Sequence, residues 1–310
     1  MFGDVLKLQI NCVTIEVIGF LWETEYLYQT EGKGMATLFE KISGNDAIFN
    51  GSEYRNDALL FNYIESARFA DDHDIYSDHK NAIILLPHYG SRVWIWTSSA
   101  IKSDTAKLID ICRFLRDASI SKPEIYLKHE VSDHFSDLYA LASLEYGYVV
   151  KDEFSLAAFV YEGGKQPEND EGTIIHVDKN NPEHVRLVTE FYRACCEEFH
   201  WQDKLDKKVQ EYLDMQLYAY VKDGRMLANA VIGGHTDHYI RLKSIAVLAE
   251  ERRKNIGYQM CCYIINRILD CDKKPVLYTH VKNAAAMALF KKSGFRMHDK
   301  IYLIKTDETN

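Results

Sequence analysis

Three consecutive cations, Arg252, Arg253 and Lys254, are followed by Asn255, Ile256, Gly257 and Tyr258 where a strand pattern gives way to a helix pattern. The strand ends at Val247, and a short acidic turn through Glu250 and Glu251 precedes the cations. The first backbone N–H groups of a helix have no partner within it. The aligned peptide dipoles favour an anion there. A glycine or asparagine in such a turn lets the main chain approach a phosphate closely, asparagine being one of the few other residues that enter the left-handed region readily. Cations at a helix start oppose the dipole unless an anion visits. These residues are therefore suited to a pyrophosphate cradle, with the amides of 253–258 gripping the anion. A basic helix start with a solvated face is the competing reading.

A second segment, Asn283-Ala-Ala-Ala-Met-Ala-Leu-Phe-Lys-Lys-Ser-Gly-Phe295, begins 26 residues after Gly257. Gly294 suits a helix C-cap, and Phe295 can pack back on that helix. Together the two segments resemble the acetyl-CoA motifs of the GNAT superfamily of N-acetyltransferases. Arg/Gln-x-x-Gly-x-Gly/Ala reads through Arg252–Gly257 with Asn255 in the first glycine place. Asn-x-x-Ala-x-x-Leu-Tyr-x-x-x-Gly-Phe is matched at Asn283, Ala286, Leu289, Gly294 and Phe295.

The resemblance implies acetyl-CoA as co-substrate and transfer of an acetyl group to the amine of a small, amino-acid-like acceptor; no metal is expected, since no Cys/His group has ligand spacing. It implies backbone groups of Ile245 and Val247 along the pantetheine arm, with the Val247 N–H as donor to the thioester oxygen, an effect worth roughly 3 kcal/mol. Asn283 would seat the arm or order its helix. The chain departs from the family at Phe290, where relatives carry a proton-donating tyrosine. It departs again at Arg241 and Lys243, where relatives often carry a glutamate or histidine base; arginine cannot deprotonate an ammonium. Strict alternation puts Tyr239, Arg241, Lys243, Ile245 and Val247 on one face. Two cations there are expected to bind an anionic group of the acceptor, such as a carboxylate; solvent-exposed strand residues are the alternative. The base then falls to His280 on the neighbouring strand, with Glu198, Tyr278 and water as further candidates. A non-catalytic CoA-binding or interaction module is the runner-up. Aminoacyl transfer from tRNA, the third reading, is disfavoured by the acidic charge.

The elements that must position these residues follow from periodicity and punctuation. The expected fold is α/β of the α+β type: a mixed, mostly antiparallel sheet with splayed central strands flanked by helices. Strands are expected at 172–179, 217–234 (a hairpin turning at Asp223-Gly224), 239–247, 276–281 and 296–305. Helices are expected at 182–199 with Asn181 as N-cap, at 203–215, at 252–269 and at 283–293. The first half repeats this order weakly at an offset of about 147 residues, carrying Arg92 onto Tyr239 and Gly147-Tyr148 onto Gly294-Phe295. Two GNAT copies in tandem are expected: a degenerate domain 1–163, a polar linker 164–172 and an acetyltransferase domain 173–310. The first copy lacks the basic loop at Ser98–Asp104. Its aromatics, Trp22, Tyr26, Tyr28, Trp94 and Trp96, fill a core or line an acceptor cleft.

Charge and cysteine usage bound the partners. Residues 1–162 hold 14 Lys and Arg against 25 Asp and Glu, and the remainder 23 against 21. An acidic half argues against nucleic acid, and a near-neutral one suits a polyanionic co-substrate. No apolar run is long enough to span a membrane. The first twenty residues read as a folded strand region rather than a signal peptide. Seven cysteines without a CxxC indicate reduced thiols, so a cytoplasmic monomer or homodimer is expected.

Overall fold

A computed structural model describes residues 38–102, 104–118, 120, 122–144, 148–167 and 173–308. The strand expected near the N-terminus, Trp22, Tyr26, Tyr28, Cys12, Gly147 and the end of the linker lie outside them. The first half gives β1 (Glu40–Lys41), α1 (Ser52–Asp57), α2 (Asn62–Ala67), β2 (His73–Ser77), β3 (Ala82–Pro87), β4 (Arg92–Thr97), α3 (Thr105–Asp117), β5 (Glu124–Lys128), α4 (His129–Leu144) and β6 (Tyr148–Tyr161). The second half gives β7 (Thr173–His176), α5 (Pro182–Ala194), α6 (Leu205–Leu213), β8 (Gln216–Lys222), β9 (Arg225–Gly233), β10 (Tyr239–Val247), α7 (Ile256–Leu269), β11 (Lys274–His280), α8 (Ala284–Lys292) and β12 (Phe295–Glu308).

Local chemistry accounts for most of these boundaries. The Asn181 side chain accepts from the N–H groups of Glu183 and His184, and Pro182 follows at the first helical position. Asp223 and Gly224 turn the β8–β9 hairpin with φ of 52° and 70°, the left-handed pair that matches strand twist. Asn283 caps α8 through the Ala286 N–H, and Gly294, at φ 88°, ends it. Two expected helices are shorter than their apolar periodicity indicated. α5 stops at Ala194 because Cys195–His200 run into turns, with His200 at φ 55°. α7 begins at Ile256 because Arg253 and Asn255 adopt left-handed φ of 67° and 66° before it.

All twelve strands join one sheet in the order β1-β2-β3-β4-β5-β12-β6-β11-β10-β9-β8-β7. Only β4·β5 and β10·β11 are parallel; the other neighbours are antiparallel. The expected mixed, mostly antiparallel α+β architecture is the one observed. Each half contributes six strands, and the order reads alike from both edges once β6 and β12 are exchanged. β6 pairs with β11 of the second half, and β12 pairs with β5 of the first. The two exchanged strands pair with each other from Tyr148↔Glu308 to Phe295↔Tyr161. Their ranges differ by the offset read from the sequence. The packing repeats the exchange: Phe159 and Tyr161 sit in the core of the second half, Ile301 and Leu303 in that of the first. The division at 164–172 thus separates two lengths of chain but not two sheets.

The six described cysteines are unpaired, four of them buried (Cys112, Cys195, Cys261 and Cys262), with Cys271 exposed. Burial pushes the Cys195 thiol up to about 11 and the Cys261 thiol up to about 12. A thiol reagent at pH 8 is expected to modify Cys271 fastest among these six. Peptide mapping should find the four buried thiols unmodified until denaturant is added; their labelling at the Cys271 rate would contradict the packing described.

Candidate active site

The parallel pair β10·β11 holds only from Tyr239↔Lys274 to Leu242↔Leu277. Beyond that the strands part. β10 continues along β9 to Val247↔Ala228, and β11 continues along β6 to His280↔Leu156. Residues 243–247 therefore have a strand neighbour on one edge only. The Ala246 N–H donates to Asn229 Oδ1 (3.0 Å) and the Leu248 N–H to the Leu227 carbonyl (3.0 Å), both on the β9 side. By alternation the main chain of Ile245 and Val247 turns to the edge that β11 has left.

A register shift between Leu242 and Ser244 changes which side chains share a face. Asn229 meets Tyr192 of α5, whereas Tyr218, which pairs with Ala230, packs on Tyr263 of α7. Arg241 pairs with Gly233 and Ser244 with Val231, on the α5 side. Ile245 pairs with Ala230 and Val247 with Ala228, on the α7 side. The expected common face for Arg241, Lys243, Ile245 and Val247 is thereby corrected. One extra residue in the strand inverts every position after it.

The turn after β10 is held by its own charges. Arg252 Nε donates to the Val247 carbonyl at 3.1 Å, and its Nη2 reaches the Glu198 carboxylate at 2.6 Å. Lys254 pairs with Glu251 (3.0 Å), and Lys292 donates to Asn255 Oδ1 (2.8 Å) while lying 4.5 Å from the Tyr258 ring centroid. Arg253 pairs with no carboxylate among the described residues. Among the described residues no side chain caps α7, so its leading amides stay open. A Cβ on Gly257 would lie 3.5 Å from Val247 Cγ2 and 3.6 Å from Leu289 Cδ2, which brings the helix start against the end of β10. The fold brings residues 252–258 beside 245 and 247, with Arg252 already committed to Glu198.

The other expected residues divide. Arg241 pairs with Val276 across the parallel register, so Tyr278 and His280, two and four residues on, face the same side of the sheet. His280 is half-buried, and its Nδ1 accepts from the Lys282 N–H at 3.0 Å. Burial pushes the Tyr278 hydroxyl up to about 12, and it donates to the Leu60 carbonyl (2.9 Å). Lys243 is exposed, near Gly233. Phe290 turns into the core against Phe159 and Phe295, at 6.2 and 6.0 Å between ring centroids. Asn283 spends its side chain on the α8 cap (3.1 Å). Glu198, a candidate base from the sequence, is occupied by Arg252. Sequence reasoning missed Tyr63 of the first half, whose ring lies 5.0 Å from the Arg241 guanidinium, and its neighbour Asn62, which like Arg241 lies close to Gly234; nothing in their local sequence marks them.

The corresponding place in the first half is closed to anions. The Asp104 carboxylate caps α3 by accepting from the Lys107 N–H (3.1 Å), and Glu53 accepts from the Ser99 N–H. Protein carboxylates stand where α7 leaves its amides open.

Residues 185–295 match the acetyltransferase (GNAT) family, and the family implies use of an acyl-CoA. Several solved structures share the fold over most of the chain. A Drosophila protein superposes with a TM-score of 0.63 at 11% identity, covering 89% of this chain and 100% of its own. A GCN5-related N-acetyltransferase from Sphaerobacter thermophilus gives 0.57 at 10% identity, covering 89% and 98%. A GNAT-family acetyltransferase from Colwellia psychrerythraea gives 0.52 at 12% identity, covering 87% and 99%. Identities this low establish the fold and nothing finer. No curated protein matches the chain. Among the described residues no group of three or more His, Cys, Asp or Glu is placed to hold a metal, and no helix is long and apolar enough to cross a membrane.

Proposed function

We propose that the protein is an acetyl-CoA-dependent N-acetyltransferase acting on the amine of a small, amino-acid-like acceptor. One observation carries the reading. The open edge of β10 at Ile245 and Val247 leads directly into an uncapped, left-handed, cation-rich helix start. Acetyl-CoA supplies an acetyl group on a thiol leaving group. The amides of Ile256, Gly257 and Tyr258 would hold its diphosphate, with charge from Arg253, Lys254 and Lys292. Arg252 acts by shaping the turn through Val247 and Glu198. The main chain of Ile245 and Val247 would pair with the pantetheine arm, and the Val247 N–H would face the oxygen on which charge develops. His280 is the proposed base for the incoming ammonium, taking the proton on Nδ1 as it gives up the hydrogen bond from the Lys282 N–H. The first half keeps the fold without the anion site, so a single acetyl-CoA per chain is proposed.

The position of Phe290 favours a second reading, a module that binds CoA without catalysis, since no hydroxyl stands there to protonate a leaving thiolate. A thiolate is a tolerable leaving group, so its absence does not abolish transfer. Calorimetry with acetyl-CoA combined with thiol release over a panel of amines separates the two. Binding with amine-dependent release supports transfer. Binding without release from any amine supports the module, and no binding refutes both.

A further inference from the structure

Beside the gap lie a cation without a counter-charge and a carboxamide without a hydrogen-bond partner among the described residues, the cation meeting the Tyr278 hydroxyl. Arg241 is only 7% exposed, yet no carboxylate among the described residues pairs with it. Its guanidinium lies 5.0 Å from the Tyr63 ring centroid and 5.5 Å from that of Tyr278. Asn62, fully buried, has no partner for either Oδ1 or Nδ2 among the described residues. Gly234 links the two groups. At φ 60°, a Cβ there would lie 3.0 Å from Asn62 Oδ1 and 3.2 Å from an Arg241 terminal nitrogen. Lys243 stands nearby at the rim, its ammonium held below the usual lysine range by burial and by the charges of Arg241 and Arg92, with Asp72 opposing.

A buried cation without a counter-charge is unfavourable, and stacking on two tyrosines offsets only part of that. A buried amide with both atoms unpaired adds to the cost. The two unmet groups are complementary in kind. The planar fork of a guanidinium fits a two-oxygen anion, and a carboxamide offers N–H donors beside it. We infer that Arg241 and Asn62 form a carboxylate subsite for the acceptor, built across the two halves of the chain. Arg241 is the last but one residue of β10 before the strands part, so an anion held there anchors a molecule whose amine extends toward Val247. The first half, which lacks an anion cradle of its own, then contributes Asn62 and Tyr63 to close the acceptor site. This inference rests on the acetyl-transfer reading for the amine, but not for the anion.

The test uses the full chain and matched pairs of acceptors: α-amino acids, ω-amino acids and dipeptides, each with its C-terminal amide. With acetyl-CoA present, each acid is expected to exceed its amide by about 100-fold in kcat/KM, the scale of losing one charged, hydrogen-bonded contact. Arg241→Gln and Asn62→Ala are expected to reduce that ratio to within about threefold while changing the acetyl-CoA KM less than twofold. Equal rates for acids and amides in the unaltered protein overturn the inference without any variant, as does a variant that keeps the preference. If no acceptor is acetylated, calorimetry with N-acetyl-amino acids and their amides decides. Binding confined to the acids upholds the subsite and leaves transfer unsupported, whereas equal binding or none overturns the subsite.

Discussion

Gly257→Asp is expected to leave the protein folded and to weaken its binding of acetyl-CoA by about 100-fold or more. Gly257 is the second residue of α7, whose first-turn amides no side chain caps. A Cβ meets its neighbours there at 3.5 Å or more, which is ordinary contact. A carboxylate in the first turn of a helix is worth about 0.3–1 kcal/mol in favour of folding, so the unliganded melting temperature should hold or rise. The same carboxylate would stand beside the amides proposed to receive a diphosphate. Two like charges about 4 Å apart at an effective dielectric near 20 repel by about 4 kcal/mol. Allowing for solvent at this rim, calorimetry should show acetyl-CoA binding weakened by about 100-fold or more. Gly257→Ala serves as control and should bind within a few-fold of the parent. If the Asp variant binds acetyl-CoA as the parent does, the phosphates are held elsewhere and the assigned cradle is wrong. The opposed effects make this substitution informative, because loss of binding cannot be attributed to loss of fold.

A chain reduced to residues 173–310 is expected not to fold, although it contains the whole family match and every residue proposed to touch acetyl-CoA. Its last strand, β12, would lose β6 on one side and β5 on the other, and β11 would lose β6. Phe159 and Tyr161 would leave its core, each removing about 2 kcal/mol of apolar burial from a total stability of about 5–15 kcal/mol. The exposed edges would then template aggregation. Circular dichroism and denaturant titration of the fragment check this. A cooperative, soluble fragment that binds acetyl-CoA would refute the exchange of β6 and β12. The complementary experiment inserts a protease site within 168–172 of the full chain. After cleavage the two pieces are expected to elute together by gel filtration and to separate only in denaturant, because the strand pairs and not the connecting peptide hold them.

Features decided within a few residues were legible in the amino-acid order. Asn181-Pro182, Asp223-Gly224, Asn283 and Gly294 set helix starts, a hairpin and a helix end because their conformational preferences act locally. Asn255 announced a left-handed position that is observed at φ 66°. Arg253 at φ 67° did not, since arginine has no such preference. The repeat could be read from the order of apolar periods, and the matching ranges of β6 and β12 show why: equivalent strands need equal lengths to pair with one another along the middle of the sheet.

What only the tertiary structure decided depends on residues far apart in the chain. Alternation could not reveal the shift between Leu242 and Ser244, because whether a strand holds an extra residue depends on its neighbour and not on its own pattern. The exchange of β6 and β12 is likewise invisible locally, since either partner would satisfy the same backbone hydrogen bonds. Glu198 meets Arg252, and Tyr63 meets Arg241, through packing between elements whose sequences carry no trace of each other. The order of residues set where an anion could be gripped by the main chain, a property of one turn. Which side chains surround the proposed acceptor subsite is a property of the folded sheet, because it brings together segments that nothing but burial connects.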